Sequence, residues 1–270
     1  MSWVESFLHR LHHGIRRYLP SISLLLAALV AWQVFTAVRQ VPDYLLPGPL
    51  SIWHTAMREH DLLLQNSLPT LKIALLGYLL ALVLGLALAV SIRYSRWIEL
   101  AVYPIVIGTQ TVPLIALAPI LVVALGFSIL PKLIIVCLVC FFPITVNAVD
   151  GFKGVDPDLI NLMRSLGARR WMLFRNVEWP AALPAIFTGA KVAVTFAVIG
   201  AIWGEWVGSS EGLGWVMIQK EGQLDTGALF AAMAILTIMG IALFASVSIA
   251  ERLLLPWYHA DRALRTSERK

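Results

Sequence analysis

Gly208-Ser209-Ser210-Glu211-Gly212 matches G-x-S-x-G, the turn that presents a serine nucleophile in many hydrolases. Such a serine also needs a strand–turn–helix setting and a histidine base within hydrogen-bond reach. Neither requirement is met. His9, His12, His13, His54, His60 and His259 all fall outside the long apolar runs, and the pentapeptide follows one of those runs directly. His9 and His13, spaced i,i+4, could grip a metal from one helix face, but no third ligand lies nearby. Cys137 and Cys140 have the C-x-x-C spacing of a redox pair, yet their flanks are apolar, where a thiol serves as a small packing residue. No G-x-x-x-x-G-K-[ST] phosphate cradle occurs, so the chain is not its own ATPase. The sequence therefore nominates no catalytic residue, no metal site and no cofactor held by this chain. What it offers are polar groups set in apolar text.

The elements that hold them are membrane helices. The 270 residues are 59% hydrophobic and only 14% charged, and the mean hydropathy is +0.79, values that exclude an ordinary soluble domain. A crossing needs about 20 mainly apolar residues. Six stretches qualify, near 19–38, 70–92, 98–125, 131–149, 183–207 and 228–254. The third contains Pro104, Pro113 and Pro119, so a kinked or re-entrant span is expected there. Residues 1–18 place Val4, Phe7, Leu8, Leu11 and Ile15 at helical spacing opposite Arg10, Arg16 and Arg17, which predicts an interfacial amphipathic helix rather than a signal peptide. The expected organisation is thus 1–18 as that helix, 19–256 as an all-α polytopic membrane domain, and 257–270 as a basic tail.

Charge predicts orientation. With the N-terminus inside, fifteen of the 21 Lys and Arg residues fall in inside segments, and four (Arg39, Arg58, Lys132 and Lys220) fall outside. This positive-inside bias puts both termini and the 150–182 loop in the cytoplasm of a multi-pass inner-membrane protein. The net charge of +5 then reflects loop placement and does not call for nucleic acid.

Within the spans, Gly77, Ala81, Gly85 and Ala89 recur every four residues, the small-residue pattern that lets helices approach closely in lipid. In the fifth span Gly189, Ala193, Gly200 and Gly204 share one face, while Lys191, Thr195, Ile202 and Glu205 share the opposite stripe. Lys191 and Glu205 fit two readings, lining a wet pathway or snorkelling to the interfaces. Gln110, Thr111, Asn147, Thr195 and Glu205 are the candidate substrate-pathway residues, each a polar group at or near membrane depth. Helix-to-helix hydrogen bonding would explain any one of them equally well. Trp203 and Trp206 read as an aromatic belt.

The loop between the fourth and fifth spans is different. Asp156-Pro157 reads as an N-cap followed by a first-turn proline. Leu159, Leu162, Met163 and Leu166 follow as an apolar stripe, Gly167 ends or bends the helix, and residues 168–176 allow a second helical piece before Pro180 and Pro184. Ringed by Arg164, Arg169, Arg170 and Arg175, the stripe fits either a docking knob for another protein or a helix lying on anionic lipid. The segment resembles the cytoplasmic loop of permease subunits of binding-protein-dependent ABC importers, whose pattern is Glu-Ala-Ala, three residues, Gly, nine residues, then Ile-x-Leu-Pro. Gly167, Val177 and Pro180 occupy the glycine, isoleucine and proline positions, while Asn161-Leu162-Met163 replaces Glu-Ala-Ala and Trp179 replaces the leucine. Residues 111–119 and Gly126-Phe127 resemble the nitrate, sulfonate and taurine branch, and Gly204 to Gly214 looks closer to permeases for thiamine-pyrimidine precursors or riboflavin.

That resemblance implies a type I ABC importer permease fold of six spans and a set of partners. Those are a second permease copy as a homodimer, two ATP-binding subunits that carry ATP and Mg, and a periplasmic or lipid-anchored substrate-binding protein. Asp158, Leu159, Leu162, Met163, Leu166, Gly167, Arg169, Arg170 and Pro180 would form the ATPase-coupling set within 157–175, and the 208–214 loop would meet the binding protein. The rival reading is a secondary transporter or channel driven by an ion gradient, which would be expected to show inverted repeats that the sequence lacks.

Overall fold

The structure is a computed structural model that describes the backbone of residues 3–258 and the side chains of residues 19–258. The amphipathic face expected for 1–18 and nearly all of the 257–270 tail lie outside the described side chains. Every described element is helical: α1 (Trp3–Val38), α2 (Pro49–Arg58), α3 (His60–Tyr94), α4 (Arg96–Thr109), α5 (Leu114–Leu125), α6 (Ile129–Lys153), α7 (Pro157–Ser165), α8 (Arg170–Leu173), a π-helical turn (Phe174–Glu178), α9 (Trp179–Trp206), α10 (Leu213–Gly222) and α11 (Thr226–Leu254). Five helices are long and apolar enough to cross a membrane, and α4 with α5, bent by 100° at a short break, makes up a sixth where the pair counts as one broken span. Of the three prolines in that span only Pro113 breaks it, standing at the N-cap of α5 while Pro104 and Pro119 lie inside α4 and α5. A residue before proline is pushed out of the helical region, so the turn closes at Thr109 to Val112. The segment before residue 19 and the first span share one helix, since α1 runs on through Pro20.

The chain divides into two compact units, residues 1–60 with 219–232, and residues 61–218 with 233–270. In the smaller unit, Trp32 packs on Phe230 with ring centroids 5.8 Å apart. Lys220 Nζ lies 2.6 Å from Glu59 Oε2 and 3.1 Å from Asp225 Oδ2. Asp225 also caps α11, its Oδ1 accepting from the Ala228 amide at 3.2 Å. Partial burial works against the Asp225 carboxylate, yet the amide and Lys220 together hold its pKa below the ordinary 3.8.

The larger unit is built on α6, with α3 on one side and α9 on the other. At Gly77 an added Cβ would lie 2.5 Å from Val136, and at Gly85 3.0 Å from Ile144 and Thr145, so the small-residue face of α3 meets α6. On α9, an added Cβ would lie 2.5 Å from the Pro143 carbonyl at Gly189, 3.0 Å from the Val136 Cα at Gly200 and 3.0 Å from the Lys132 Cα at Gly204. Backbones this close gain dispersion contacts that larger side chains would prevent. Cys140 is fully buried in this seam and its Sγ donates to the Ala193 carbonyl at 3.2 Å. Cys137 and Cys140 are both free and buried, which makes them packing residues of the α6–α9 seam.

Two outcomes follow from these contacts. Gly189→Val should lower the melting temperature of the detergent-solubilised protein, an overpacking cost of about 1–3 kcal/mol, because α6 backbone lies in the way. Gly108→Ala, where nothing lies within 4 Å, should leave it unchanged or slightly raised. The Asp225 contribution is present above its unfolded value of 3.8 and is lost as pH falls through the lower folded value. An acid melting series should therefore show a smaller stability loss in Asp225→Asn than in the parent over that interval.

Candidate coupling loop and translocation face

The Asp156 side chain accepts from the Asp158 amide at 2.9 Å, and Pro157 fills the first helical position, so α7 starts at a formed cap. It ends at Gly167, whose φ of +80° is the left-handed conformation that only glycine adopts cheaply. The Ala168 amide closes the turn on the Met163 carbonyl at 3.0 Å. The apolar stripe splits into two faces. Met163 turns inward with Ile160 onto a small core of Val155, Leu173 and Val177. Leu159, Leu162 and Leu166 face outward at 43%, 55% and 74% exposure, joined by Trp171 at 69%. Asp158, Gly167, Arg169 and Arg170 are exposed beside them, whereas Pro180 is half-buried at the start of α9.

From Arg170 the helix runs unbroken through α8, the π turn and α9 to Trp206, 37 residues in all. Residues 170–175 are therefore continuous with the fifth span, α7 joins them across the Gly167 turn, and Pro180 and Pro184 lie inside the helical run, where punctuation was expected. The π turn ends on Glu178, which is 1% exposed. Its Oε1 lies 2.5 Å from Arg93 Nη2 and its Oε2 accepts from Tyr94 Oη at 3.0 Å, both at the end of α3. Phe174 packs between Tyr94 and Trp179 with tilted rings, centroids 5.9 and 5.8 Å apart. Sequence reading missed Glu178, because its partners lie 84 and 85 positions away. The available signal was an acidic residue placed immediately before an apolar run.

The candidate pathway residues do not converge. Gln110 and Thr111 stand exposed at the α4–α5 break, and the Thr111 hydroxyl donates to the Gly108 carbonyl at 2.8 Å. Asn147 is half-buried on α6 and donates to the Pro143 carbonyl at 2.8 Å. Thr195 lines a cavity of about 370 Å³ between α9, α10 and α11, with Ile202, Trp203, Trp206, Met217, Met233 and Thr237 around it. Glu205 points elsewhere. It is 1% exposed, and its Oε2 accepts from the Gly214 amide at 2.8 Å. Asn66 Oδ1 and Thr70 Oγ1 accept from the amides of Gly212 and Leu213, each at 2.8 Å. Three side chains from α3 and α9 thus pin the 208–214 loop by its backbone. Gly212 has φ +105° and lies against the Glu205 carboxylate, so no side chain fits there. Lys191 bonds Glu251 of α11 at 2.7 Å, an ion pair between two apolar helices.

Residues 81–259 match the family model described as "Binding-protein-dependent transport system inner membrane component". This chain belongs to that family. It is a permease subunit of a binding-protein-dependent ABC importer. Among its relatives, the formylaminopyrimidine transport permease ThiX of Halalkalibacterium halodurans is 40% identical, covering 86% of this chain and 93% of that one. The riboflavin transport system permease RibX of Chloroflexus aurantiacus is 34% identical, covering 88% and 91%. The permease also shares its fold with a chain of the inward-facing MetNI methionine ABC transporter, at TM-score 0.63 and 20% identity, covering 73% of this chain and 97% of that one.

Within the permease, Glu178 is a charge whose removal from one side only leaves its partner uncompensated in a buried place. Arg93→Met should cost about 3–5 kcal/mol, and the double variant Arg93→Met/Glu178→Leu should cost less than the two single changes added together. Chemical denaturation of the four proteins in a double-mutant cycle measures the coupling.

Proposed function

We propose that the permease is moved by a separate ATPase gripping residues 157–175, and that α9 carries the movement across the membrane. The observation that carries this reading is the outward stripe of Leu159, Leu162, Leu166 and Trp171 on a short capped helix. That helix is followed by one continuous rod from Arg170 to Trp206. Arg164, Arg169 and Arg170 have no carboxylate partner within the described residues and present charge around the stripe. A groove on the ATPase takes the leucines, and acidic residues at its rim take the arginines.

Displacement of α7 then pushes α8 and the π turn, while Glu178 held by Arg93 and Tyr94 makes α3 move with the base of α9. The two arrangements are biased by ATP at one end and by the loaded binding protein at the other, a rigid-body switch with two states. The 208–214 loop, fixed by Asn66, Thr70 and Glu205, receives the binding protein. Two copies form the pathway, with the loop of 157–175 and both termini in the cytoplasm, as the positive-inside bias supports. ATP and Mg belong to two partner subunits. The Thr195 cavity, with two tryptophans and no cation in its lining, favours an uncharged planar nutrient such as a thiamine pyrimidine or flavin over a sulfonate or taurine. The names of the formylaminopyrimidine and riboflavin relatives support the same choice.

Reconstituted with its ATPase and binding protein, the parent should take up substrate only with ATP. Leu162→Asp should lose most substrate-stimulated ATP hydrolysis and uptake while melting as the parent does, whereas Gly167→Val, strained at a left-handed φ, should lose them together with some thermal stability. Uptake by the purified chain alone, driven by an ion gradient, would establish the secondary-transporter reading instead.

A further inference from the structure

In the larger unit a cavity of about 530 Å³ opens between the early turns of α3, the first turn of α6 and the 208–211 loop, with Lys72 and Lys132 both in its lining. Three cations on the apolar helices are neutralised at close range. Arg93 has Glu178, Lys153 has Glu99 and Lys191 has Glu251, at 2.5–2.8 Å. Neither Lys72 nor Lys132 has a carboxylate within ion-pair distance among the described residues. Lys132 Nζ is held by a neutral acceptor, Ser209 Oγ at 2.7 Å, and the Ser209 hydroxyl donates to the Glu211 carbonyl at 2.6 Å. An ammonium has three protons to donate, so Lys132 is positioned with donors to spare. Lys72 stands in a membrane-crossing helix, where a charge is retained when it faces a partner or a wet cavity.

We propose that this cavity is an anion site for a tetrahedral oxyanion, a phosphate or sulfonate group, whose charge Lys72 and Lys132 balance. Ser210, also in the lining, supplies a short hydroxyl to a remaining oxygen. The volume suits a head group or a small solute. Phe127, 82% exposed at the rim, offers apolar surface to whatever carbon skeleton bears the oxyanion. That chemistry has two sources, the head group of a phospholipid in the adjoining leaflet or a soluble oxyanion entering from water. Glu211 shares the lining and competes with either. The site stands apart from the α9–α11 cavity and does not depend on which substrate is carried.

The full-length permease in nanodiscs tests this. Melting is followed in phosphatidylcholine alone, in phosphatidylcholine with phosphatidylglycerol, and in phosphatidylcholine titrated with inorganic phosphate at fixed ionic strength. A saturable rise with phosphatidylglycerol assigns the lipid source, and a saturable rise with phosphate assigns the soluble one. Lys72→Gln/Lys132→Gln should weaken the responding arm by on the order of tenfold or more, and Glu211→Gln should tighten it several-fold. The gain at Glu211 cannot come from damage to the fold, so it remains decisive if the double lysine variant does not assemble. Absence of a saturable response in both arms, or responses unchanged by all three substitutions, overturns the site.

Discussion

At Gly189, Gly200 and Gly204 the backbone of α9 lies against the backbone of α6 with no room for one added carbon. Lipid offers no hydrophobic driving force between helices, so dispersion at such close approach, together with a few polar contacts, must hold the larger unit together. Close packing also makes α9 stiff relative to its neighbour, because cores of this density shift between discrete arrangements more readily than they deform. The proposed coupling rests on this stiffness, with the 157–175 segment toward one end of α9 and the 208–214 loop toward the other.

The polar groups are arranged around that rod at three levels. Glu178 is clamped to α3 at the base, Lys191 pairs with Glu251 of α11 above it, and Glu205 holds the backbone of the 208–214 loop at the far end. Each is an ionisable group that apolar surroundings penalise if unpaired; Glu178 and Lys191 have an ion partner each, while Glu205 has the Gly214 amide on Oε2 and, among the described residues, no partner on its buried Oε1. The two ion pairs therefore tie α9 to α3 and to α11. The cavity facing α10 and α11 is left to Thr195, the tryptophans and the methionines, a lining that interacts with ring faces rather than with charge.

Glu205 illustrates the difference between a helical wheel and a packed helix. Its angular neighbours Thr195 and Ile202 line the α9–α11 cavity, yet Glu205 turns to the loop because Gly212 and Gly214 come back against it. The return of that loop is tertiary and leaves no trace in the periodicity of α9. Met163 shows the same at the other end, belonging to the leucine stripe by spacing and to a small loop core by packing.

What the sequence determined by itself was whatever depends on local chemistry or bulk partition. The apolar spans, the Asp156-Pro157 cap, the turn at Gly167 and the close-packing faces of α3 and α9 all follow from residue types at short spacing. Only the folded chain decided which of three prolines broke the third span, that Glu178 meets Arg93 and Tyr94, and that the fifth span begins as early as Arg170. Those outcomes depend on pairs separated by tens of residues and on competition between neighbours for the same space. A one-dimensional pattern does not encode such distances until the helices have been placed.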